Sequence, residues 1–291
     1  MSGPVHPDWD RDGANWPHRD SSLFEEIGPI RWHFQRMGTG PVLLLLHGAG
    51  AATHSWRGLM PILAESFDVV APDLPGHGFT RIASRSQCSL PAMSQAVAAL
   101  MDRLGTAPQI ILGHSAGAAI GLNCVLSRLL TPDMVIGLNA ALTPFRGIAG
   151  VLFPPLARML ALNPVVPWMF SQFAGSDGQA RRLLDSTGST LDAEGYALYG
   201  QLFQRPRHVD GALAMMALWE LDPLLAALPE VNIPIHLMVG AKDTTVPPAE
   251  ALALAARHGR ITAHEVPALG HLMHEEDPRR IAARIREIVA A

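Results

Sequence analysis

Three residues whose types together cleave acyl bonds, Ser115, Asp243 and His271, are spread across the 291-residue chain. Ser115 lies in Gly113-His114-Ser115-Ala116-Gly117, where the apolar run Gln109-Ile-Ile-Leu112 ends and Ala- and Gly-rich helical sequence begins. Gly-x-Ser-x-Gly between a strand and a helix reads as a sharp turn that lifts a hydroxyl above the end of a sheet. The flanking glycines remove side chains that would collide in the bend. A serine hydroxyl is a poor nucleophile until an imidazole takes its proton, and that imidazole needs a carboxylate to hold its tautomer. Asp243, in Gly240-Ala-Lys-Asp243, and His271, in Leu269-Gly270-His271, each follow the end of a predicted strand, as Ser115 does. Open parallel sheets place their ligand crevice at such strand ends. The chain order Ser, Asp, His is the one expected there.

The elements that must position these groups alternate along the chain. Residues 42–46 are a continuous apolar run, the pattern of a strand covered on both faces. Further strands are predicted over 67–71, up to Ser115, over 133–139, 233–240 and 261–266, and helices over 53–65, 89–104, 116–130, 249–258 and 278–289. Residues 23–27 and 30–35 flank Gly28-Pro29 and read as an antiparallel hairpin at a sheet edge. Ser89, with Pro91 behind it, is the expected N-cap of the 89–104 helix. Strand and helix alternating through short loops give an α/β doubly wound sheet with right-handed crossovers.

The alternation is interrupted once. The reading divides the chain into an irregular extension (1–21) pinned by Trp9 and Trp16, a core (22–143 and 221–291) and an inserted helical cap (144–220). From Gly147 to Ser176 the cap has Arg158 as its one charged residue and carries Leu152, Phe153, Leu156, Met159, Leu160, Val165, Val166, Trp168, Met169, Phe170 and Phe173. Pro154, Pro155, Pro164 and Pro167 cut this stretch into pieces far shorter than the ~20 residues a spanning helix needs, so no transmembrane segment is expected. Either the apolar residues pack on the core, or they form a lid over a wide apolar pocket or a peripheral membrane contact.

Composition excludes other classes. The net charge of -4 comes from scattered residues, so nucleic acid is not an expected partner. Cys88 and Cys124 are far apart and lack metal-ligand spacing, which fits a reducing compartment. With no basic and apolar leader at the N-terminus, a cytoplasmic location is the expectation.

These motifs, with His47-Gly48, Asp73-Leu-Pro75-Gly76-His77-Gly78 and Glu276-Asp277-Pro278, resemble the capped α/β-hydrolase family from about residue 22 to the end of the chain. The resemblance implies an α/β-hydrolase fold: a mostly parallel eight-stranded sheet with helices on both faces and an inserted helical cap. It also implies a Ser115, Asp243, His271 hydrolase that needs no cofactor or metal, with an oxyanion hole made by the backbone N–H groups of Ala49 and Ala116. In that family His47 and His114 shape the loops, and Asp73 ties down its own. His274 is a rival base, but only His271 follows the loop glycine at the family position. Glu265 and Glu275 are rival acids, but Asp243 holds the family position, and the alternative acid position after Asn139 offers no carboxylate in residues 140–143. Epoxide hydrolases and haloalkane dehalogenases of this fold use an Asp nucleophile, so Ser115 counts against them.

A narrower resemblance rests on Trp9-Asp-Arg-Asp-Gly13, Trp16-Pro17, Arg31-Trp32-His33, Gly48-Ala-Gly-Ala51 and Thr53-His54-Ser55-Trp56-Arg57. Together these are similar to the α/β-hydrolase-type magnesium chelatase accessory proteins of bacteriochlorophyll biosynthesis. That likeness implies a small apolar or tetrapyrrole substrate and a contact with magnesium chelatase. It leaves open a non-catalytic role that holds or delivers a tetrapyrrole.

Overall fold

The computed structural model describes residues 5–143, 163, 165–174 and 177–291. Among them the strands are β1 (Ser22–Ile27), β2 (Ile30–Met37), β3 (Val42–Leu46), β4 (Asp68–Pro72), β5 (Ile110–His114), β6 (Met134–Leu138), β7 (Ile235–Gly240) and β8 (Ile261–Val266). They form one sheet in the order β1-β2-β4-β3-β5-β6-β7-β8. Pairing is antiparallel from β1 through β2 to β4 and parallel beyond. The helices are α1 (Trp9–Asp12), α2 (Met60–Leu63), α3 (Leu90–Arg103), α4 (Ala116–Leu126), α5 (Val165–Ala174), α6 (Asp177–Asp185), α7 (Ala193–Phe203), α8 (Pro206–Ala217), α9 (Asp222–Ala227), α10 (Pro248–Arg257), α11 (Met273–Glu276) and α12 (Pro278–Val289). This is the mostly parallel α/β-hydrolase sheet that the sequence implied.

The central strand shows why. Leu44 and Leu46 of β3 join a cluster with Val97, Leu100, Ile120 and Leu122 of α3 and α4. Leu43 and Leu45 join Met60, Leu63, Ile281 and Ile285 of α2 and α12 on the other face. With both faces buried, no polar alternation is possible, and each leucine contributes roughly 1.5–3 kcal/mol by leaving water.

Two local expectations change. The helix expected over 53–65 is instead a 3-10 turn, Thr53–Trp56, followed by the one-turn α2. Pro61 lacks an N–H and its ring clashes with the carbonyl four residues earlier, so a continuous helix cannot pass through it. Ser89 stands at the N-cap of α3 without capping it; its hydroxyl donates to Ser86 O at 3.2 Å.

The N-terminal extension contains α1 and is held by aromatic packing. Trp9 and Trp16 stand edge-on to Phe79 at 4.9 and 4.8 Å, and Trp16 Nε1 donates to Thr53 Oγ1 at 2.9 Å. It also ties down α7 and α8. Arg205 forks onto Asp12 at 3.0 and 2.5 Å, and Arg207 N–H donates to Val5 O at 3.0 Å.

Between β6 and β7 the chain is helical where described, as α5 to α9. Leu184, Leu191, Tyr196, Tyr199 and Phe203 bury themselves with Ala51 and Leu272, so α6 and α7 pack on the loops after β3 and β8. On α5, Val165, Trp168, Met169 and Phe170 are exposed. The apolar residues Leu152, Phe153, Leu156, Met159 and Leu160, and the side chain of Phe173, lie outside the described residues. No single helix among the described residues is long and apolar enough to cross a membrane.

Candidate active site

At the end of β5 the backbone turns within one residue. Ser115 has φ 51° and ψ -115°, a costly conformation for a side chain with a Cβ. The surroundings over-determine it: its N–H donates to Leu138 O at 2.9 Å, and its carbonyl accepts from Ala118 and Ala141 at 3.2 and 3.1 Å. A Cβ at Gly117 would overlap the Leu46 carbonyl, so only glycine lets α4 start this close to β3. The loop after β3 comes equally near. A Cβ at Gly48 would meet Ser115 Cβ at 3.1 Å and His114 Nδ1 at 2.9 Å.

That approach sets the backbone of the loop after β3 against the elbow. Ala116 opens α4, so its N–H has no intrahelical acceptor. Neither the Ala49 nor the Ala116 amide is engaged among the described residues. Free backbone N–H groups are the kind of donor that can stabilise a developing oxyanion.

His271 Nδ1–H donates to Asp243 Oδ2 at 2.7 Å, while Asp243 Oδ1 accepts from the amides of Thr245 and Val246 at 2.7 and 2.9 Å. The carboxylate is thereby fixed by its own loop, and the imidazole tautomer is fixed by the carboxylate. With Nδ1 carrying the proton, the Nε2 lone pair is free to accept one. His114 Nε2–H donates to His271 O at 2.9 Å, tying the loop after β8 to the residue before Ser115. Ser115 is half-buried, and its hydroxyl makes no hydrogen bond among the described residues.

The sequence pattern of the alpha/beta hydrolase family matches residues 43–284. The chain belongs to that family. It is 44% identical to the magnesium-chelatase 30 kDa subunit of Rhodobacter capsulatus over 90% of this chain and 92% of that one. It is 27% identical to 2-hydroxymuconate semialdehyde hydrolase of Pseudomonas sp. (strain CF600), over 95% and 97%. Among solved structures, an alpha/beta hydrolase fold protein from Burkholderia ambifaria superposes with a TM-score of 0.78 at 21% identity, covering 92% of this chain and 98% of that one. The last likeness shows the fold alone.

In this α/β-hydrolase His47 and His274 are buried core groups. His47 Nε2 accepts from Leu74 N–H at 2.9 Å and its Nδ1–H donates to Gly48 O at 2.8 Å, so its ring holds the loop after β3 against the loop after β4. His274 is buried between Trp56 and His114 at 4.6 and 4.5 Å, has no hydrogen-bond partner among the described residues, and its pKa is pushed by burial down to about 3. It is a neutral core ring, whereas His271 has the carboxylate. Among the described residues no group of three or more His, Cys, Asp or Glu could hold a metal ion.

Asp73 ties its loop together, accepting from His33 Nδ1 (2.7 Å), Thr53 N–H (2.7 Å) and Phe79 N–H (2.8 Å). Burial opposes ionisation, but His33 and these hydrogen bonds win and lower the carboxyl to about 2. A depressed carboxyl stabilises above its unfolded value of 3.8 and ceases to as pH falls through about 2. Asp73→Ala strands three buried donors, each costing roughly 1–3 kcal/mol. A loss of at least about 3 kcal/mol in urea unfolding at pH 7 is the expected outcome.

Glu265 is exposed on β8. Glu275 instead accepts from Tyr199 Oη at 2.8 Å and pairs with Arg57, which also holds Asp192 at 2.8 Å. Burial pushes Glu275 up to about 7, against Arg57 and Tyr199, which hold it down. A raised carboxyl favours the fold at low pH, and that contribution is lost as pH rises from 4.5 through about 7. Relative to Glu275→Gln, the wild type is expected to lose stability across that window in urea titrations. An unchanged difference between pH 4.5 and 8 would contradict this assignment.

Two contributors escaped the sequence reading. Asn139, at the end of β6, donates to the carbonyls of Gly270 and His271 at 2.9 and 2.8 Å and accepts from Gly240 N–H at 2.7 Å. Its signal was an amide directly after an apolar strand. The turn after α6 is the second: Ser189 Oγ accepts from Leu272 N–H at 2.7 Å, Thr187 O from His271 N–H at 3.3 Å, and Thr244 Oγ1 donates to Ser186 O at 2.7 Å. Gly188, at φ +79°, lies so close to Lys242 that a side chain there would overlap its carbonyl.

Proposed function

We propose that the protein is a cytoplasmic serine hydrolase that cleaves an ester or related acyl bond of an apolar substrate in tetrapyrrole metabolism. The observation that carries the chemistry is the 2.7 Å His271–Asp243 hydrogen bond beside a strained Ser115. Ser115 Oγ attacks the acyl carbon as His271 Nε2 takes its proton, and the Ala49 and Ala116 amides hold the oxyanion. The intermediate collapses to an acyl-Ser115, and the leaving alcohol departs with the proton from His271. Water then attacks the acyl group, giving its proton to His271, and the acid leaves as Ser115 recovers it. Asp243 holds Nδ1–H throughout and stabilises the imidazolium.

The pathway assignment, and a contact with magnesium chelatase, rest on the Rhodobacter relative and its name. An apolar substrate is supported by the apolar 147–176 stretch, which also supports a peripheral membrane contact. p-Nitrophenyl esters of increasing acyl length are expected to be turned over with rising kcat/KM. No hydrolysis above buffer at any length would contradict the reading.

The relative's name favours a second reading, in which the protein serves the chelatase or holds a tetrapyrrole without turnover. Under it, a stable Ser115→Ala variant restores pigment synthesis in a strain lacking the gene. Under the hydrolase reading it does not.

A further inference from the structure

Away from Ser115, a cavity of about 210 Å³ opens where the N-terminal extension, the loop after β4 and the first turn of α8 meet. His6, Arg81, Arg85 and Arg207 line it, and Asp210 is the only carboxylate among the lining residues. Three guanidiniums against one carboxylate make this wall positive on a chain whose net charge is -4. Arg85 takes Asp210, with Nη2 at 2.6 Å from Oδ1, whereas Arg207 comes no nearer than 3.7 Å to the same carboxylate. The Arg81 backbone is pinned by two hydrogen bonds to Arg31, at 3.1 and 2.9 Å, while its guanidinium has no partner among the described residues. Burial, Arg81 and Arg207 together push the His6 imidazole below its ordinary value. Guanidiniums left over around a concave wall suit the planar, two-point recognition of phosphate and carboxylate oxygens. A single concave spot of this size fits a small anion rather than a nucleic acid backbone, which needs many phosphate contacts along its length.

We propose that this cavity binds a small oxyanion, a phosphoryl or dicarboxylate group, through Arg81, Arg207 and His6. The bound anion bridges the extension and α8, which already meet through Arg207 N–H and Val5 O. It also rests on a wall shared with His208, whose Nδ1 accepts from Gly78 N–H at 3.0 Å and whose Nε2–H donates to Gly50 O at 3.0 Å. Gly50 belongs to the loop that carries Ala49, so occupancy of the cavity lies one imidazole away from the oxyanion loop.

The test is an NMR titration of the His6 imidazole in the full chain, with inorganic phosphate and with succinate at constant ionic strength. Saturable binding is expected, with the His6 pKa rising on occupancy because a bound negative charge favours the imidazolium. The double variant Arg81→Ala, Arg207→Ala is expected to bind at least tenfold more weakly at unchanged Tm, both side chains being exposed. Saturation by phosphate alone assigns a phosphoryl group; saturation by succinate alone assigns a dicarboxylate. No saturation by either anion, or equal affinity in the double variant, overturns the proposal.

Discussion

Ser115→Ala is expected to lower kcat for a p-nitrophenyl ester by on the order of 10⁶, the loss typical when the nucleophile of such a unit is removed. The residual rate comes from groups the substitution leaves intact, the Ala49 and Ala116 amides and the binding surface. The fold should survive, because the elbow is held by backbone bonds from Ser115 to Leu138, Ala118 and Ala141 rather than by the hydroxyl. An alanine at φ 51° is as strained as the serine it replaces, so stability is expected to change little. Unfolding midpoints measured beside the kinetics separate the two effects. A stable variant with undiminished turnover would remove Ser115 from the chemistry.

Asp243→Asn is expected to cost roughly 10⁴ in kcat, with little change in fold. The reason lies in the hydrogen bonds that the carboxylate accepts. Thr245 and Val246 donate their amides to Oδ1, so an asparagine keeps its oxygen there and turns its NH₂ toward His271. Nδ1 must then accept, the ring proton moves to Nε2, and the lone pair that should receive the serine proton is gone. Steady-state kinetics with the ester series check the value. The loss should appear in kcat while KM stays near that of the wild type, since no substrate contact has been altered.

The middle of the sheet was legible in the sequence because its central strands are buried on both faces and so read as apolar runs, 42–46 above all. Ser115, Asp243 and His271 were legible as local motifs at strand ends. What was hidden depends on parts of the chain distant in sequence. Arg57 and Glu275 are 218 positions apart, and Glu275 read only as a spare acid. The turn at 186–189, which holds the loops carrying Asp243 and His271, lies between β6 and β7 in a stretch whose helical spacing says nothing of where its connections land. Helical spacing misled at 53–65, where Trp56, Leu59, Met60 and Leu63 have the right periodicity but Pro61 forbids the continuous helix.

The proposed activation of Ser115 by His271 and Asp243 is tested most directly with a fluorophosphonate, which reacts far faster with an activated serine than with an ordinary one. Wild-type protein incubated with the probe and analysed by intact mass and peptide mapping is predicted to gain one adduct, on Ser115, which is absent from Asp243→Asn over the same time. No adduct, or one elsewhere with Ser115 unmodified, would contradict it.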